Sequence, residues 1–364
     1  MLHSEGLGGV LINAQHNFAW LTGGRSNGID LSRDNGAAWL LVRRDGKRFL
    51  IANNIELHRM VAEELATRDF EPLEVSWQDE KASPDAVIRL AGSVLPHGAE
   101  LAADIFPSNK LRPVESSIAQ CRYQLTQPEI ERFRSLGGDA GKALGRAASR
   151  ITPGNSEIEI ANAVRSELSH RGIYAVVTLV GADDRIEQYR HPVPTANIWN
   201  KNLLVAVCAR REGLIVSLTR IVCAGEISPE LHRRTEAAAA VNAALYSATI
   251  EGAKASGLYK IAADAYAAQG FAGEIDKHHQ GGACGYRTRD WVAHPANDEF
   301  ARLHQGFAWN PSITGTKTEE TGVVTADGFE VVTATDGFPI ISTVIEGREY
   351  FSPGILSLSK GASA

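Results

Sequence analysis

Two helix starts of the same design, met in close succession near the middle of the chain, constrain its fold more than any other feature. Thr126 is followed three residues on by Glu129, with Pro128 between them. That spacing predicts a capping box, in which hydroxyl and carboxylate each satisfy a free backbone N–H, and proline costs no hydrogen bond in a first turn. Ile130, Phe133, Leu136, Ala140, Leu144 and Ala147 then recur every three or four residues, which makes one apolar helix face. Pro153-Gly154 stops that helix, and Ser156 with Glu159 repeats the box. Ile160, Val164 and Leu168 form the second stripe, which ends near Gly172. Both faces need a sheet or further helices to bury them.

The following sequence supplies that partner. Residues 175–180, 203–208, 214–219 and 323–325 read as strands, and Asp327-Gly328 and Asp336-Gly337 read as turns. A third, alanine-rich helix is expected over 229–255 and a fourth over 261–270. Helix pairs followed by antiparallel strands describe an α+β domain, placed at residues 123–364. Residues 1–122 alternate strands (9–12, 37–42, 48–51) with helical stretches (55–65, and 83–94 starting at Ser83-Pro84-Asp85), an α/β pattern with its own core. A chain of 364 residues exceeds what one core usually holds, roughly 250–300 residues, so two domains are expected.

Composition narrows the function. With 37 Lys and Arg against 43 Asp and Glu, the net charge of -6 argues against a general grip on nucleic acid. Cys121, Cys208, Cys223 and Cys284 form no C-x-x-C pair, so neither a zinc ribbon nor a redox motif is expected, and reduced thiols suit a cytoplasmic protein. No basic leader precedes the short apolar stretch at 7–12, and no run approaches the ~18 apolar residues of a membrane span.

Four segments concentrate polar chemistry. In Tyr189-Arg190-His191-Pro192-Val193-Pro194-Thr195, two prolines brace an imidazole, the side chain best suited to proton transfer near neutrality. In His278-His279-Gln280-Gly281-Gly282-Ala283-Cys284-Gly285-Tyr286-Arg287-Thr288-Arg289, glycines allow close backbone approach. In a strand, Arg287 and Arg289 would share a face suited to a carboxylate or phosphate. Asn310 lies in Trp309-Asn310-Pro311-Ser312. Lys317 and Glu319 are two apart and so share a face, whereas Glu319 and Glu320 point opposite ways in a strand. Cys284 near two histidines permits a Cys–His couple, although a small buried filler explains it as well. There is no G-x-S-x-G and no P-loop string.

Taken together, these segments resemble the pita-bread superfamily of aminopeptidase P, prolidase, methionine aminopeptidase and creatinase. Asn17-Phe18-Ala19-Trp20-Leu21-Thr22-Gly23 is similar to its N-x-x-Y-L-T-G string, and Gln127–Arg134 to the first helix of its catalytic domain. Thr152-Pro153-Gly154 with Glu157, His191-Pro192-Val193-Pro194-Thr195, and Gly213 with Ser217-Leu218-Thr219-Arg220 resemble P-G-x-x-E, H-x-V-P-T and G-x-x-x-D-x-T-R. The resemblance implies a C-terminal pita-bread domain, a smaller creatinase-type N-terminal domain, and a homodimer. It also implies five ligands for two divalent ions, and places Ala206, Ser217, Gly282, Asn310 and Glu319 at those positions. One carboxylate among five suits no dinuclear centre, so no cofactor is expected.

Three readings follow. The first is a metal-independent hydrolase of a C–N bond in a small polar or anionic substrate, as creatinase-like chemistry implies. His191 would transfer protons, Glu319 would bind a cationic or donor group, and Arg287 and Arg289 would bind a carboxylate. His278, His279, Asn310 and Lys317 would complete the pocket. The second is a pseudopeptidase that binds a peptide or metabolite. The third is a metal-dependent Xaa-Pro peptidase. Partners are a small molecule or short peptide, with no nucleic acid and no membrane.

Overall fold

The computed structural model describes residues 1–83, 85–105 and 111–358, which fall into two compact units, Met1–Arg122 and Tyr123–Ala364. In the first, β1 (Gly9–Ala14), β2 (Asn35–Arg43), β3 (Arg48–Asn53), β4 (Glu71–Val75), β5 (Leu101–Ala103) and β6 (Arg112–Pro113) form one sheet, ordered β4-β3-β2-β1-β5-β6. Alternate residues feed two cores. Val10, Ile12, Leu40 and Leu50 face one side, and Leu11, Leu41, Phe49 and Ile51 the other. A sheet covered on both faces explains why these strands read as continuous apolar runs. Asn17 of the N-x-x-Y-L-T-G-like string has a structural task, donating to buried Asp104 at 3.0 Å and accepting from buried Arg122 at 2.9 Å.

The helical stretch expected at 55–65 is a short helix, Leu57–Arg59, continued by a wider π turn, Met60–Glu64, in which only Met60 is buried. The later helix is Asp85–Ser93; the Pro84 of its expected start lies outside the described residues.

In the second unit both capping boxes form, and they open the helices Gln127–Ala148 and Glu157–Ser169. Strands β7 (Tyr174–Ala182), β8 (Asn202–Arg211) and β9 (Leu214–Ala224) are antiparallel. The remaining strands are β10 (Gly281–Cys284), β11 (Trp291–Val292), β12 (Gly306–Trp309), β13 (Ser312–Ile313), β14 (Thr316–Lys317), β15 (Glu320–Thr325), β16 (Gly328–Val331), β17 (Ile340–Ile345), β18 (Arg348–Pro353) and β19 (Ile355–Leu358). They give two larger sheets, β19-β9-β8-β7 and β11-β10-β12-β15-β16, with ribbons β13-β14 and β17-β18. The Thr219 N–H of β9 donates to the Glu319 carbonyl at 3.1 Å and so links the two larger sheets. The helix face read as apolar also carries Gly137 and Gly141. A Cβ at either would stand 2.2 Å from a carbonyl oxygen, of Val332 or Ala334, so small residues let the chain pass close by.

The single helix expected over 229–255 is a correction. The chain forms Pro229–Ala248 and then Ala255–Ala268, rather than a second helix starting at 261. Thr249 turns its hydroxyl back onto the Leu245 carbonyl (2.5 Å), and Gly252 takes a positive φ of 83°. Alanine-rich sequence on both sides hid that break. The unit is α+β, as the alternation of helix pairs and strands implies.

Candidate active site

A cavity of about 310 Å³ opens against β7 and β8 in the second unit, within the size range of small-molecule sites. Its apolar wall is Val177 and Leu179 of β7 with Ala206 of β8. Its polar wall is His191, His279, Arg289, Asn310, Lys317 and Glu319.

The loop that carries His191 is tied down from below. Fully buried Glu157 accepts from the backbone N–H of Ala182 (2.9 Å), the N–H of Thr195 (2.9 Å) and the Thr195 hydroxyl (2.8 Å), and it pairs with Arg185. The P-G-x-x-E and H-x-V-P-T strings are thus two halves of one brace. On the other side Arg190 pairs with Glu274, which also accepts from the Thr314 N–H at 3.1 Å. The His278-His279 segment hangs on Gln280, whose amide oxygen accepts from the Tyr266 hydroxyl at 2.6 Å.

These anchors bring three imidazoles together. The Nε2 atoms of His191 and His278 are 3.0 Å apart, with ring centroids at 4.9 Å in an edge contact. His278 and His279 stack at 4.4 Å. Burial, then Lys317 and the neighbouring imidazoles, hold His278 down at about 3. Burial, then Arg289 and Lys317, hold His279 at about 4. Burial and Lys317 lower His191 as well. His191 and His279 stay open to solvent at one edge, and near pH 7 all three rings are neutral.

Glu319 is the carboxylate of the cavity, and its oxygens are occupied. Oε2 accepts from the Thr219 hydroxyl at 2.6 Å and meets Lys317 Nζ at 2.9 Å, while Oε1 faces Arg289 at 3.4 Å. Burial opposes its charge, but Lys317, Arg289 and the Thr219 hydroxyl overcome that and hold the carboxyl at about 2. Two of the cations that Glu319 can bind are thus supplied by the protein itself. Lys317 and Arg289 leave the group with a net positive charge.

The positions that the resemblance assigns to two divalent ions do not fit them. Ala206 carries no donor, and a Cβ on Gly282 would stand 2.2 Å from the Trp291 carbonyl oxygen, so that position has no room for a ligand side chain. The Ser217 hydroxyl donates to the Cys208 thiol at 3.3 Å. Asn310 offers a neutral amide, and Glu319 is already neutralised by two side-chain cations. Divalent ions in oxygen-rich sites need several anionic ligands, and here there is one.

Of the residues singled out in the sequence, His191, His279, Arg289, Asn310, Lys317 and Glu319 line the cavity, and His278 touches it through His191. Arg287 does not. The segment between β10 and β11 is a bend rather than a strand, so the shared face expected for Arg287 and Arg289 is absent and Arg287 is exposed. Cys284 is buried, and burial pushes its thiol up to about 12, which removes the thiolate that a Cys–His couple needs. The sequence reading missed Thr219, Cys208 and Thr288. Thr219 had a signal, since it alternates with Ser217 on one face of a strand.

The sequence profile of metallopeptidase family M24 matches residues 131–331. The chain is 26% identical over 235 residues to an Xaa-Pro dipeptidase of Lactobacillus helveticus, a match that spans 61% of this chain and 63% of that relative. The fold is similar to that of the prolidase from Pyrococcus horikoshii, with a TM-score of 0.76 and 18% identity over 92% of this chain and 96% of that one. It is also similar to the N-terminal domain of the FACT complex subunit SPT16 from chickpea, with a TM-score of 0.68 and 11% identity over 91% of each chain. No described helix is long and apolar enough to cross a membrane.

Proposed function

Because the chain belongs to metallopeptidase family M24, we propose that its second unit hydrolyses a C–N bond of a small anionic substrate, with His191 as acid and base and without a pair of metal ions. One observation carries this reading. Lys317 and Arg289 converge on Glu319, the one carboxylate of the cavity and one of the five positions that the resemblance assigns to metal ligands, so side-chain cations already engage it. A cavity with net positive charge selects an anion. Arg289 Nε and Asn310 Oδ1 are buried without a protein partner, and such atoms call for a bound group. A substrate carboxylate would satisfy the first, and an N–H the second.

Neutral His191 accepts a proton from water as its oxygen attacks the carbon of the scissile bond. It then returns that proton to the leaving nitrogen as the C–N bond breaks. His278, 3.0 Å away, accepts a hydrogen bond from the imidazolium in between. Glu319 acts as a positioning residue that fixes Lys317 and Arg289.

The test is product formation by mass spectrometry from small amides that carry a carboxylate, Xaa-Pro dipeptides included. His191→Ala should lower kcat/KM by ~10²–10⁴-fold, the usual contribution of general acid–base catalysis. Since the base must be unprotonated and its pKa is lowered from 6.5, the wild-type rate should rise with pH through a midpoint below that value and level off above it. An unchanged rate in His191→Ala overturns the mechanism. Saturable binding with no product replaces the hydrolase by a ligand-binding protein.

A further inference from the structure

We propose that His191, His278 and His279 form a mononuclear site for a borderline transition-metal ion, separate from the positions that the resemblance assigns to a metal pair. One ligand nitrogen from each ring can be chosen so that all three lie within 4.8 Å of one another, and two are already 3.0 Å apart. A tetrahedral ion with Zn–N bonds of about 2.0–2.1 Å spaces its nitrogens by roughly 3.3 Å, so the His191–His278 pair already has that spacing and the third ring must close on it. The rings come from two separately braced segments, the loop held by Glu157 and the turn held by Gln280. The Nδ1 of His278 is buried and has no hydrogen-bond partner, so that ring has not satisfied both of its nitrogens within the protein.

The donor set decides the ion. Three imidazoles and no carboxylate favour Zn²⁺, Co²⁺, Ni²⁺ or Cu²⁺ and disfavour Mg²⁺, Ca²⁺ and Mn²⁺. With three protein ligands, the fourth position stays open to water or an anion. An ion held there takes the lone pair that His191 uses in the proposed hydrolysis. Only in that consequence, inhibition, does the proposal rest on the hydrolase reading.

The test uses the full chain, dialysed free of metal and titrated with Cu²⁺ and Co²⁺. One ion per chain is expected, with three nitrogen couplings in the Cu²⁺ electron paramagnetic resonance spectrum and a tetrahedral Co²⁺ absorption spectrum. His278→Ala and His279→Ala should each weaken binding by at least ~10–100-fold, the loss that even an outer-shell partner brings. His232→Ala, an exposed histidine on the Pro229–Ala248 helix, should leave the affinity unchanged and serves as the control. Circular dichroism of each variant establishes that it is folded. No bound ion, an oxygen-only spectrum, or binding that survives both His278→Ala and His279→Ala overturns the site. The readout is the metal's own spectrum, so loss of binding leaves the hydrolase reading intact, and absence of hydrolysis leaves the site intact.

Discussion

At residues 319 and 320 the chain presents one carboxylate to each side, and the two environments differ in charge rather than depth. Glu319 is 4% exposed and Glu320 3%. Glu319 meets Lys317, Arg289 and the Thr219 hydroxyl, and its carboxyl is held at about 2. Glu320 meets Arg220 at 2.8 Å and the Thr333 hydroxyl. Arg220 also serves the carbonyl oxygens of Thr219 (2.8 Å) and Thr333 (2.7 Å). Burial therefore prevails over that single shared cation, and Glu320 is pushed up to about 7. Two full cations keep a buried carboxylate ionised, and one shared cation leaves it titrating near neutrality.

Glu319→Gln should break this comparison most severely. It leaves buried Lys317 and part-buried Arg289 without a counter-charge and should cost about 3–5 kcal/mol, read as a fall in the urea midpoint at constant m. A loss below about 1 kcal/mol would mean that the two cations do not depend on Glu319. Thr219→Val removes a hydrogen bond to a charged group and should cost about 1.5–3 kcal/mol in the same assay.

The smallest effect is expected of Glu320→Gln, and it has a sign. The folded pKa of Glu320, about 7, lies above its ordinary 4.5, so the wild type gains stability from it below 4.5 and loses that gain as pH rises through 7. Glu319 behaves oppositely, because its pKa is lowered from 4.5 to about 2. Its contribution is present above 4.5 and is lost as pH falls through 2. Glu320→Gln should thus lie within about 1 kcal/mol of wild type near pH 5 and gain on it as pH rises toward 8. Chemical unfolding across that range checks this. A gap that widens in favour of wild type would show that Glu320 is ionised and that the two sides are alike.

What was legible in the sequence was mostly local or periodic. The capping boxes at Thr126 and Ser156 depend on residues three apart, and Lys317 and Glu319, two apart, pair as an extended chain predicts. The family strings fall in segments that line or brace the cavity, but their physical work appears only in three dimensions. Glu157 holds Thr195, 38 positions away, and no local rule links them. The break at Thr249 was hidden because alanine suits a helix on both sides of it. Arg287 and Arg289 were misread because a two-residue spacing implies a shared face only in a strand, and the chain bends there. The meeting of His191 with His278 lies beyond sequence patterns, since the two are 87 positions apart.

In the proposed hydrolysis Lys317, Arg289 and His191 do the work of a metal pair. The most direct measurement is single-turnover hydrolysis of a carboxylate-bearing amide by the wild-type chain in excess chelator. Product at an undiminished rate, lost in His191→Ala, is the predicted result. Loss of product in chelator, restored by two manganese ions per chain, would contradict it.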